Sequence, residues 1–369
     1  MKVQQAVWRP GDAIAPSPDA QWVLAFGDRP LVVEAFPFIR EAYPNAILLS
    51  GSTSGEIVDT EVSDDRVSIT AVSFARTQVR AAARTIERNE CSYRIGVELA
   101  EELMAADLAH VFVLSDGQLV NGSALAKGFN DTLPANALLT GGLAGDGTRF
   151  EQTAVGLDAP ARSGQVVAVG FYGPALEVGF GSSGGWVPFG PVREVTRSEA
   201  NVLFELDGKS ALELYRLYLG DQADELPGSA LRFPLCLLLP DGRTLVRTIL
   251  SVDEKDQSMT FAGDVPVGTQ VRFMRASYED LVDGAAYAAE HALRATAAPD
   301  LAILVSCVGR RIVLGQRTEE ETEVVRDLIG DGTTMTGFYS YGELAPTAHA
   351  NWCELHNQTM TITTLREAA

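Results

Sequence analysis

Three glycine-rich loops carry most of the polar side chains in this sequence that are suited to binding a small molecule. They cover residues 50–56, 140–147 and 337–343. Glycine has no Cβ atom, so such loops expose backbone N–H groups that can surround a carboxylate or phosphate oxygen. Their hydroxyl groups can hydrogen-bond a polar ligand, and their carboxylates can accept from an ammonium. We therefore predict that they bind a small polar molecule such as an amino acid, through Ser52, Thr53, Glu56, Gly141, Gly142, Asp146, Tyr339, Tyr341 and Glu343.

The spacing of the glycines argues against two common types of site. None of the loops has the Gly-Lys-Ser or Gly-Lys-Thr of a P-loop, and none has Gly-x-Gly-x-x-Gly at the start of a helix, so nucleotide binding is disfavoured. Gly51 and Gly55 are one residue too far apart for the Gly-x-Ser-x-Gly turn of a serine hydrolase. The alternative to a binding role is that the glycines only form turns or allow close packing.

Cys307 is the candidate nucleophile of an alternative, enzymatic function. It follows a predicted buried strand and precedes Arg310 and Arg311, whose charges would lower the pKa of its thiol. A thiol-dependent hydrolase or transferase would use His356 or Glu343 as its base. The other interpretation of Cys307 is a small buried residue that ends a strand. Cys307 and Arg310 are also candidate ligand contacts.

The histidines and one further arginine are additional candidates for binding. His349 and His356 flank Cys353, but this set lacks a recognisable fourth ligand for zinc, so no metal site is predicted. His356 either lines the pocket or hydrogen-bonds the final strand. Arg247 either pairs with a ligand carboxylate or forms a cross-strand ion pair.

The three loops end three copies of one strand-helix-strand unit. The copies have predicted strands at 22–26 and 46–49, at 111–114 and 137–139, and at 301–305 and 334–336. In the third copy, Thr318 and Glu321 have the spacing of a capping box, which predicts a helix start. Parallel strands joined through helices place their carboxyl ends at one edge of a sheet, where ligands bind in such folds.

The second half of the chain also contains a different pattern. Short strands between residues 235 and 274, with the Pro240-Asp241-Gly242 turn, predict an antiparallel meander. The expected fold class is α/β, with mixed sheets, β-α-β repeats covered by helices, and this meander. We expect an N-terminal extension at 1–20, one α/β domain at 21–195 and a second at 196–369.

Composition limits the location and the partners. The 369 residues, 46% hydrophobic and 21% charged, are typical of a globular chain large enough for two domains. A net charge of -20 argues against nucleic acid and membrane surfaces as partners, since both need clustered lysine or arginine. No apolar run approaches the roughly 20 residues of a membrane span, and the start lacks the apolar stretch of a signal peptide, so a cytoplasmic location is expected.

Six segments resemble the FIST sensory domain family, in both its N-terminal and C-terminal parts. They are residues 51–57, 141–146, 206–212, 306–310, 337–343 and 356–359, in that order. The resemblance implies a signal-input domain that binds small ligands such as amino acids, found near or fused to histidine kinases, cyclases and chemotaxis receptors. Some members resemble haem-bearing nitric oxide sensors, which would make His349 or His356 an axial ligand. We expect a cytosolic sensor without a cofactor, acting in trans on such a partner; a thiol enzyme and a haem sensor are the alternatives.

Overall fold

The computed structural model describes residues 1–226, 228–239, 242, 244–347 and 350–368. The α-helices in this part are α1 Arg29–Ala42, α2 Ser92–Leu103, α3 Gly122–Asn130, α4 Ala211–Leu219, α5 Tyr278–Leu293, α6 Val308–Leu314 and α7 Glu319–Ile329. The strands are β1 Lys2–Trp8, β2 Trp22–Gly27, β3 Ile47–Ser52, β4 Glu56–Val58, β5 Glu61–Ser63, β6 Val67–Ser73, β7 Gln78–Thr85, β8 Leu108–Ser115, β9 Leu138–Leu143, β10 Val155–Leu157, β11 Gln165–Tyr172, β12 Leu176–Ser183, β13 Val187–Glu199, β14 Val202–Leu206, β15 Lys209–Ser210, β16 Leu235–Leu238, β17 Thr244–Arg247, β18 Ile249–Asp253, β19 Ser258–Phe261, β20 Gln270–Arg275, β21 Leu301–Cys307, β22 Thr334–Ser340, β23 Gly342–Thr347, β24 Ala350–His356 and β25 Met360–Glu367. None of these helices is both long enough and apolar enough to cross a bilayer.

Three strand-helix-strand units organise the structure. Strand β2 is parallel to β3, β8 to β9, and β21 to β22. The respective connections contain α1, α3, and the pair α6 and α7. Strands β2 and β21 are buried along their whole length, which explains why their sequences are continuous apolar runs rather than alternating patterns. The predicted repeats and the α/β fold class with mixed sheets are confirmed.

Each unit belongs to its own mixed sheet, and the three sheets share one core. The strand orders are β1-β6-β2-β3-β10, β24-β23-β9-β8-β11-β7 and β12-β25-β21-β22-β4-β5. The shared apolar core includes Trp22, Phe112, Val305 and Phe338. Helix α1 packs on the first sheet, α2 and α3 on the second, and α5 and α7 on the third. Because the second and third sheets combine strands from both halves of the chain, loops distant in sequence come together.

A fourth sheet is antiparallel and lies in the second half of the chain. Its strand order is β17-β16-β20-β13-β14-β19-β18, with β15 paired to β14. Together with α4 it forms a separate core that includes Leu212, Tyr215 and Phe273. The predicted antiparallel part is confirmed. Pro240 and Asp241 of the predicted turn lie outside the described residues.

The predicted capping box at Thr318 and Glu321 is wrong. Thr318 precedes α7 but makes no side-chain cap, and its hydroxyl donates to the Gly315 carbonyl at 2.5 Å. Glu321 is fully buried instead, because it pairs with a buried arginine described below. A capping box does begin α5, where the Ser277 hydroxyl accepts from the Asp280 N–H at 3.1 Å and the Asp280 carboxylate accepts from the Ser277 N–H at 2.8 Å.

Candidate functional site

The glycine loops meet and bind one another through their backbones. The Ser54 N–H donates to the Tyr339 carbonyl at 2.8 Å, and the Gly145 N–H donates to the Ser52 carbonyl at 2.9 Å. A Cβ atom on Gly145 would lie 2.4 Å from the Ser54 Oγ, so this approach of two loops requires glycine. These N–H groups are already satisfied within the protein, so a ligand must bind beside the meeting point rather than within it.

A cleft of about 600 Å³ opens beside the loops. Its lining consists of Asp28, Ser54, Val62, Asp64, Gly147, Thr148, Arg149, Val308, Arg311, Ile312, Gly315, Gln316, Thr318 and Glu319. These include residues that follow β2, β3, β9 and β21, so four of the six parallel strands of the units direct their carboxyl ends to one cleft. Open α/β sheets bind their ligands at such ends.

Arg311 reaches from the third unit onto the first loop. Its Nη1 donates to the Ser54 carbonyl at 2.5 Å, and its two terminal nitrogens each bind the Asp64 carboxylate at 2.7 Å. The guanidinium lies 5.6 Å from the centre of the Tyr339 ring. Gly55 has a φ of +119°, and a Cβ there would lie 2.5 Å from the Arg311 Nη1. Since the Arg311 side chain is 25% exposed and that of Asp64 57%, the pair remains open to a ligand.

Arg149 supplies a second cation to the cleft, from the loop after β9. Its Nε and Nη2 donate to the Asp146 Oδ1 at 2.9 and 2.6 Å, and its Nη2 also pairs with Asp28. Burial alone would raise the pKa of Asp146, but hydrogen bonds from Arg149 and from the backbone of Gln152 and Glu151 lower it. An ionised Asp146 therefore fixes Arg149, whose side chain is 48% exposed.

The cleft contains charged side chains of both signs. Two arginines and three carboxylates, those of Asp28, Asp64 and Glu319, line the same space. A ligand carboxylate can bind the planar guanidinium through two parallel hydrogen bonds, and a ligand ammonium can pair with an aspartate. This arrangement suits a small molecule that carries both charges.

Comparison with known families covers almost the whole chain. The FIST N domain profile matches residues 21–209, and the FIST C domain profile matches residues 211–346. The chain belongs to the FIST family. FIST domains are small-ligand sensor modules of signalling proteins. The resemblance seen in six sequence segments is thereby confirmed.

Among solved structures, the FIST chain is similar to a cyanuric acid hydrolase from A. caulinodans. The two share 8% sequence identity at a TM-score of 0.40, over 100% of this chain and 99% of that one. A likeness at this level indicates neither activity nor substrate. A search of curated proteins gave no match.

The residues of the glycine loops that were predicted to bind a ligand lie behind the cleft of this FIST protein. Asp146 holds Arg149, and the Tyr341 hydroxyl donates to the Gly147 carbonyl at 3.2 Å. Tyr339 lies beneath Arg311. Ser52, Thr53, Glu56, Gly141, Gly142 and Glu343 are buried in or beside the loops. Direct contact of these residues with a ligand stays a prediction.

The sequence analysis missed the residues that line the cleft. Its polar and charged residues that were not predicted as ligand contacts include Asp28, Ser54, Asp64, Arg149 and Glu319, while Arg311 was considered only for its effect on Cys307. Ser54 is inside a predicted loop, and Arg149 is three residues beyond Asp146. Charged residues that follow a parallel strand or its loop, such as Asp28 after β2 and Arg149 after the second loop, were therefore the signal that could have indicated them.

Arg310 points away from the cleft and forms a buried ion pair with Glu321. Its Nε donates to Glu321 at 2.9 Å, its Nη1 to the Gly184 carbonyl at 2.6 Å, and its Nη2 to the Leu281 carbonyl at 2.7 Å. The Tyr339 hydroxyl donates to the same glutamate at 2.6 Å. Every guanidinium nitrogen has a protein acceptor, and these contacts join α6 to α5 and α7. A role of Arg310 in ligand binding stays a prediction.

Cys307 ends β21 as a buried residue. Burial raises the pKa of its thiol, and the nearby Glu343 raises that pKa further, while Arg310 opposes the change. Arg310 lowers the thiol pKa, as the sequence analysis expected, but burial outweighs this effect and the net pKa is raised. The environment matches that of a small buried residue at a strand end.

Cysteine labelling tests this difference directly. We expect N-ethylmaleimide to modify the partly exposed Cys91 at least about ten times faster than Cys307 in the folded chain, because the thiolate fraction falls tenfold for each unit of pKa. Burial also raises the pKa of Cys236 and Cys353, so both should react slowly. Mass spectrometry of peptides measures the rates, with the denatured chain as control. Rapid labelling of Cys307 in the folded chain would contradict this account.

Two glutamates at the ends of the loops have strongly shifted pKa values. Burial raises the pKa of Glu343 from its ordinary value of 4.5 to about 8, against hydrogen bonds from Ser340 and Thr359. Burial likewise raises the pKa of Glu56 to about 8, and the neighbouring Asp64 adds to this effect. Each carboxyl therefore holds a proton in the folded chain at a pH where the unfolded chain has lost it.

Glu343 should make the folded chain less stable as pH rises from about 4.5 to 8, because only the unfolded state releases the proton in this range. We expect Glu343→Gln, which mimics the neutral carboxyl, to gain stability relative to the wild type by up to about 1.4 kcal/mol per pH unit. Urea unfolding at several pH values measures the difference. The exposed Glu323→Gln should follow the wild type, and a pH-independent difference for Glu343→Gln would refute the assignment.

Arg247 and His356 lie away from the cleft. Arg247 is buried, its Nε donates to the Asp264 carbonyl and its Nη1 to the Leu355 carbonyl, both at 3.0 Å, and burial lowers its pKa to about 10. The His356 Nε2 lies 3.1 Å from the Ala345 carbonyl, and this histidine lines a second cavity. Ligand contact by either residue stays a prediction.

The described lining of the cavity that contains His356 would give haem no ionic partner for its two propionates, because these lining residues include no arginine or lysine. His349, the other predicted axial ligand, lies outside the described residues. Within the described ranges, no group of three or more His, Cys, Asp or Glu side chains is placed to hold a metal ion.

Proposed function

We propose that this FIST protein is a cytosolic sensor whose cleft binds a small zwitterionic metabolite such as an amino acid. The observation that carries the proposal is the convergence of four strand ends on a cleft lined by Arg149, Arg311, Asp28 and Asp64. The ligand carboxylate binds the arginines, and the ligand ammonium binds an aspartate. Membership of a family of small-ligand sensors supports the same role.

The ion pairs within the cleft are weak enough to be replaced by ion pairs with such a ligand. The pairs of Arg311 with Asp64 and of Arg149 with Asp28 are partly exposed, and exposed pairs contribute only about 0 to 1 kcal/mol to stability. A ligand that displaces or shares them therefore loses little. The Ser54 carbonyl and Asp146 keep the two guanidinium groups in position during the exchange.

Helix α6 is the proposed route from the cleft to the surface. Arg311 lies in the cleft, and its neighbour Arg310 binds Glu321 of α7 and the Leu281 carbonyl of α5. A ligand that moves Arg311 would act on these two outer helices, and a coupling free energy of about 1 to 3 kcal/mol would suffice. We propose that a signalling partner in trans, a histidine kinase, a cyclase or a chemotaxis protein, recognises the changed surface.

A thermal-shift panel tests the charge complementarity of the cleft. It contains free L-amino acids, each with the matching amine that lacks the carboxylate and the matching acid that lacks the ammonium. At a concentration of 100 times Kd, a bound amino acid should stabilise the chain by about 2.7 kcal/mol and raise Tm by several degrees. The analogues should have smaller effects. Equal shifts by amino acid and amine, or no shift with any member, would overturn the proposal.

A further inference from the structure

A second cavity of about 550 Å³ lies between the β12 to β13 connection, α5 and β24. Residues in its lining include Gly184, Trp186, Tyr287, His291 and His356. No residue is shared with the lining of the first cleft. Small-molecule sites typically have volumes of about 300 to 1,000 Å³, so this cavity is large enough to be one.

The described lining of the second cavity contains no Asp, Glu, Lys or Arg, in a chain whose residues are 21% charged. Burial lowers the pKa of His291, and Arg294 lowers it further, which favours the neutral imidazole. A charged ligand would therefore lose its hydration without gaining a partner of opposite charge, which is costly. The described part of the lining therefore favours an uncharged ligand.

Aromatic rings contribute much of the cavity wall. The Tyr287 and His291 rings, one turn apart on α5, have centroids 4.2 Å apart with an interplanar angle of 39°. Trp186 is almost buried, and its Nε1 donates to the Gln358 carbonyl at 2.8 Å, so the indole is held in place. Gly184 adds backbone to the wall without a side chain. Fixed rings with open space beside them are suited to stacking against a flat ligand.

One polar atom of a residue that lines the cavity lacks a partner. The His291 Nε2 is buried and has no hydrogen-bond partner among the described residues. Such an atom costs about 1 to 3 kcal/mol when it stays unsatisfied. A neutral imidazole nitrogen either donates or accepts, so a ring N–H or a ring nitrogen of a ligand can complete it once the imidazole turns toward the cavity.

We propose that the second cavity is a binding site for an uncharged, planar heteroaromatic molecule. The ligand stacks on the aromatic wall formed by Trp186 and Tyr287, and a nitrogen of its ring hydrogen-bonds the His291 Nε2. The argument for this site is independent of the amino-acid cleft, because it involves different residues and an uncharged ligand instead of a charged one.

Indole and two charged derivatives of it are the probes for this site. Calorimetric titration of the full chain should show binding of indole, and binding of indole-3-acetate and tryptamine at least about tenfold weaker, since one unit charge enters a cavity whose described lining is uncharged. Tyr287→Ala should weaken indole binding about 2- to 10-fold through the lost stacking, and His291→Phe about 5-fold through the lost hydrogen bond.

Two matched variants separate this site from other surfaces. Tyr93→Ala removes a comparably exposed tyrosine on α2, and Arg84→Met removes a partly exposed arginine that lines neither cavity, so both should leave the indole affinity unchanged. The proposal is overturned if indole does not bind, if the charged derivatives bind equally well, or if Arg84→Met or Tyr93→Ala abolishes indole binding. Unchanged affinity in both Tyr287→Ala and His291→Phe would also overturn it. Failure here leaves the amino-acid proposal intact, because the two use different probes and variants.

Discussion

Replacing Arg311 with methionine is expected to weaken binding of the amino-acid ligand about 10- to 100-fold. The variant removes charged hydrogen bonds to the ligand carboxylate, and such bonds contribute about 1.5 to 3 kcal/mol. The apolar stem of methionine keeps contact with the Tyr339 ring, which limits other changes. Arg311→Lys should bind with intermediate affinity, because an ammonium keeps the charge but lacks the planar pair of donors. Calorimetric titration with the strongest ligand of the panel measures both losses.

Arg84→Met is the matched control for this experiment. Arg84 is also partly exposed and paired with carboxylates, those of Glu98 and Glu102, but it lies outside the cleft. Its removal should leave ligand affinity unchanged. If Arg311→Met remains folded and binds the ligand as tightly as the wild type does, the cleft is not the site of carboxylate recognition.

Breaking the buried pair of Arg310 and Glu321 is expected to cause the largest loss of stability, about 3 to 5 kcal/mol for Glu321→Gln. Glutamine still accepts from Ser306 and Tyr339 but leaves the fully buried guanidinium without a counter-charge. Removing the charge from one partner leaves the other uncompensated in a medium of low dielectric constant. The loss is measured as the change in the free energy of the first unfolding transition of the chain in urea.

Two further variants show whether the lost stability comes from the uncompensated charge. The double variant Arg310→Met with Glu321→Leu should recover a large part of the stability, because apolar residues of similar volume often replace a buried pair at little cost. Arg197 and Glu205 form an exposed pair with atoms 3.8 Å apart. Breaking this pair in Arg197→Met should lower the stability of the chain by less than about 1 kcal/mol. A loss below 1 kcal/mol for Glu321→Gln would contradict a charged pair at this position.

Much of the fold could be predicted from the sequence, because its units repeat. The buried strands β2, β8 and β21 are apolar runs, and each unit ends in glycine-rich sequence that marks a loop. Two apolar runs of this kind on either side of a helix suffice to indicate parallel pairing. The exchange of strands between the two halves, such as β12 beside β25, depends on long-range pairing that no local pattern encodes.

The site was predicted less well, because side-chain direction in glycine loops depends on the backbone. The loops bind one another, which turns Ser52 inward, where its hydroxyl bonds the Gly145 carbonyl at 2.7 Å, and leaves Ser54 at the cleft. Arg310 and Arg311 are adjacent in sequence, yet α6 directs one into the core and the other to the cleft. The pairing of Arg149 with Asp28 spans 121 residues and has no local signal.

A crystal structure of the chain bound to the strongest amino-acid ligand tests the central claim most directly. The account predicts ligand density in the cleft, with the carboxylate bound by Arg149 or Arg311 and the ammonium within hydrogen-bond distance of Asp28 or Asp64. Density for the amino acid at any other place, with the cleft still closed by its own ion pairs, would contradict the account.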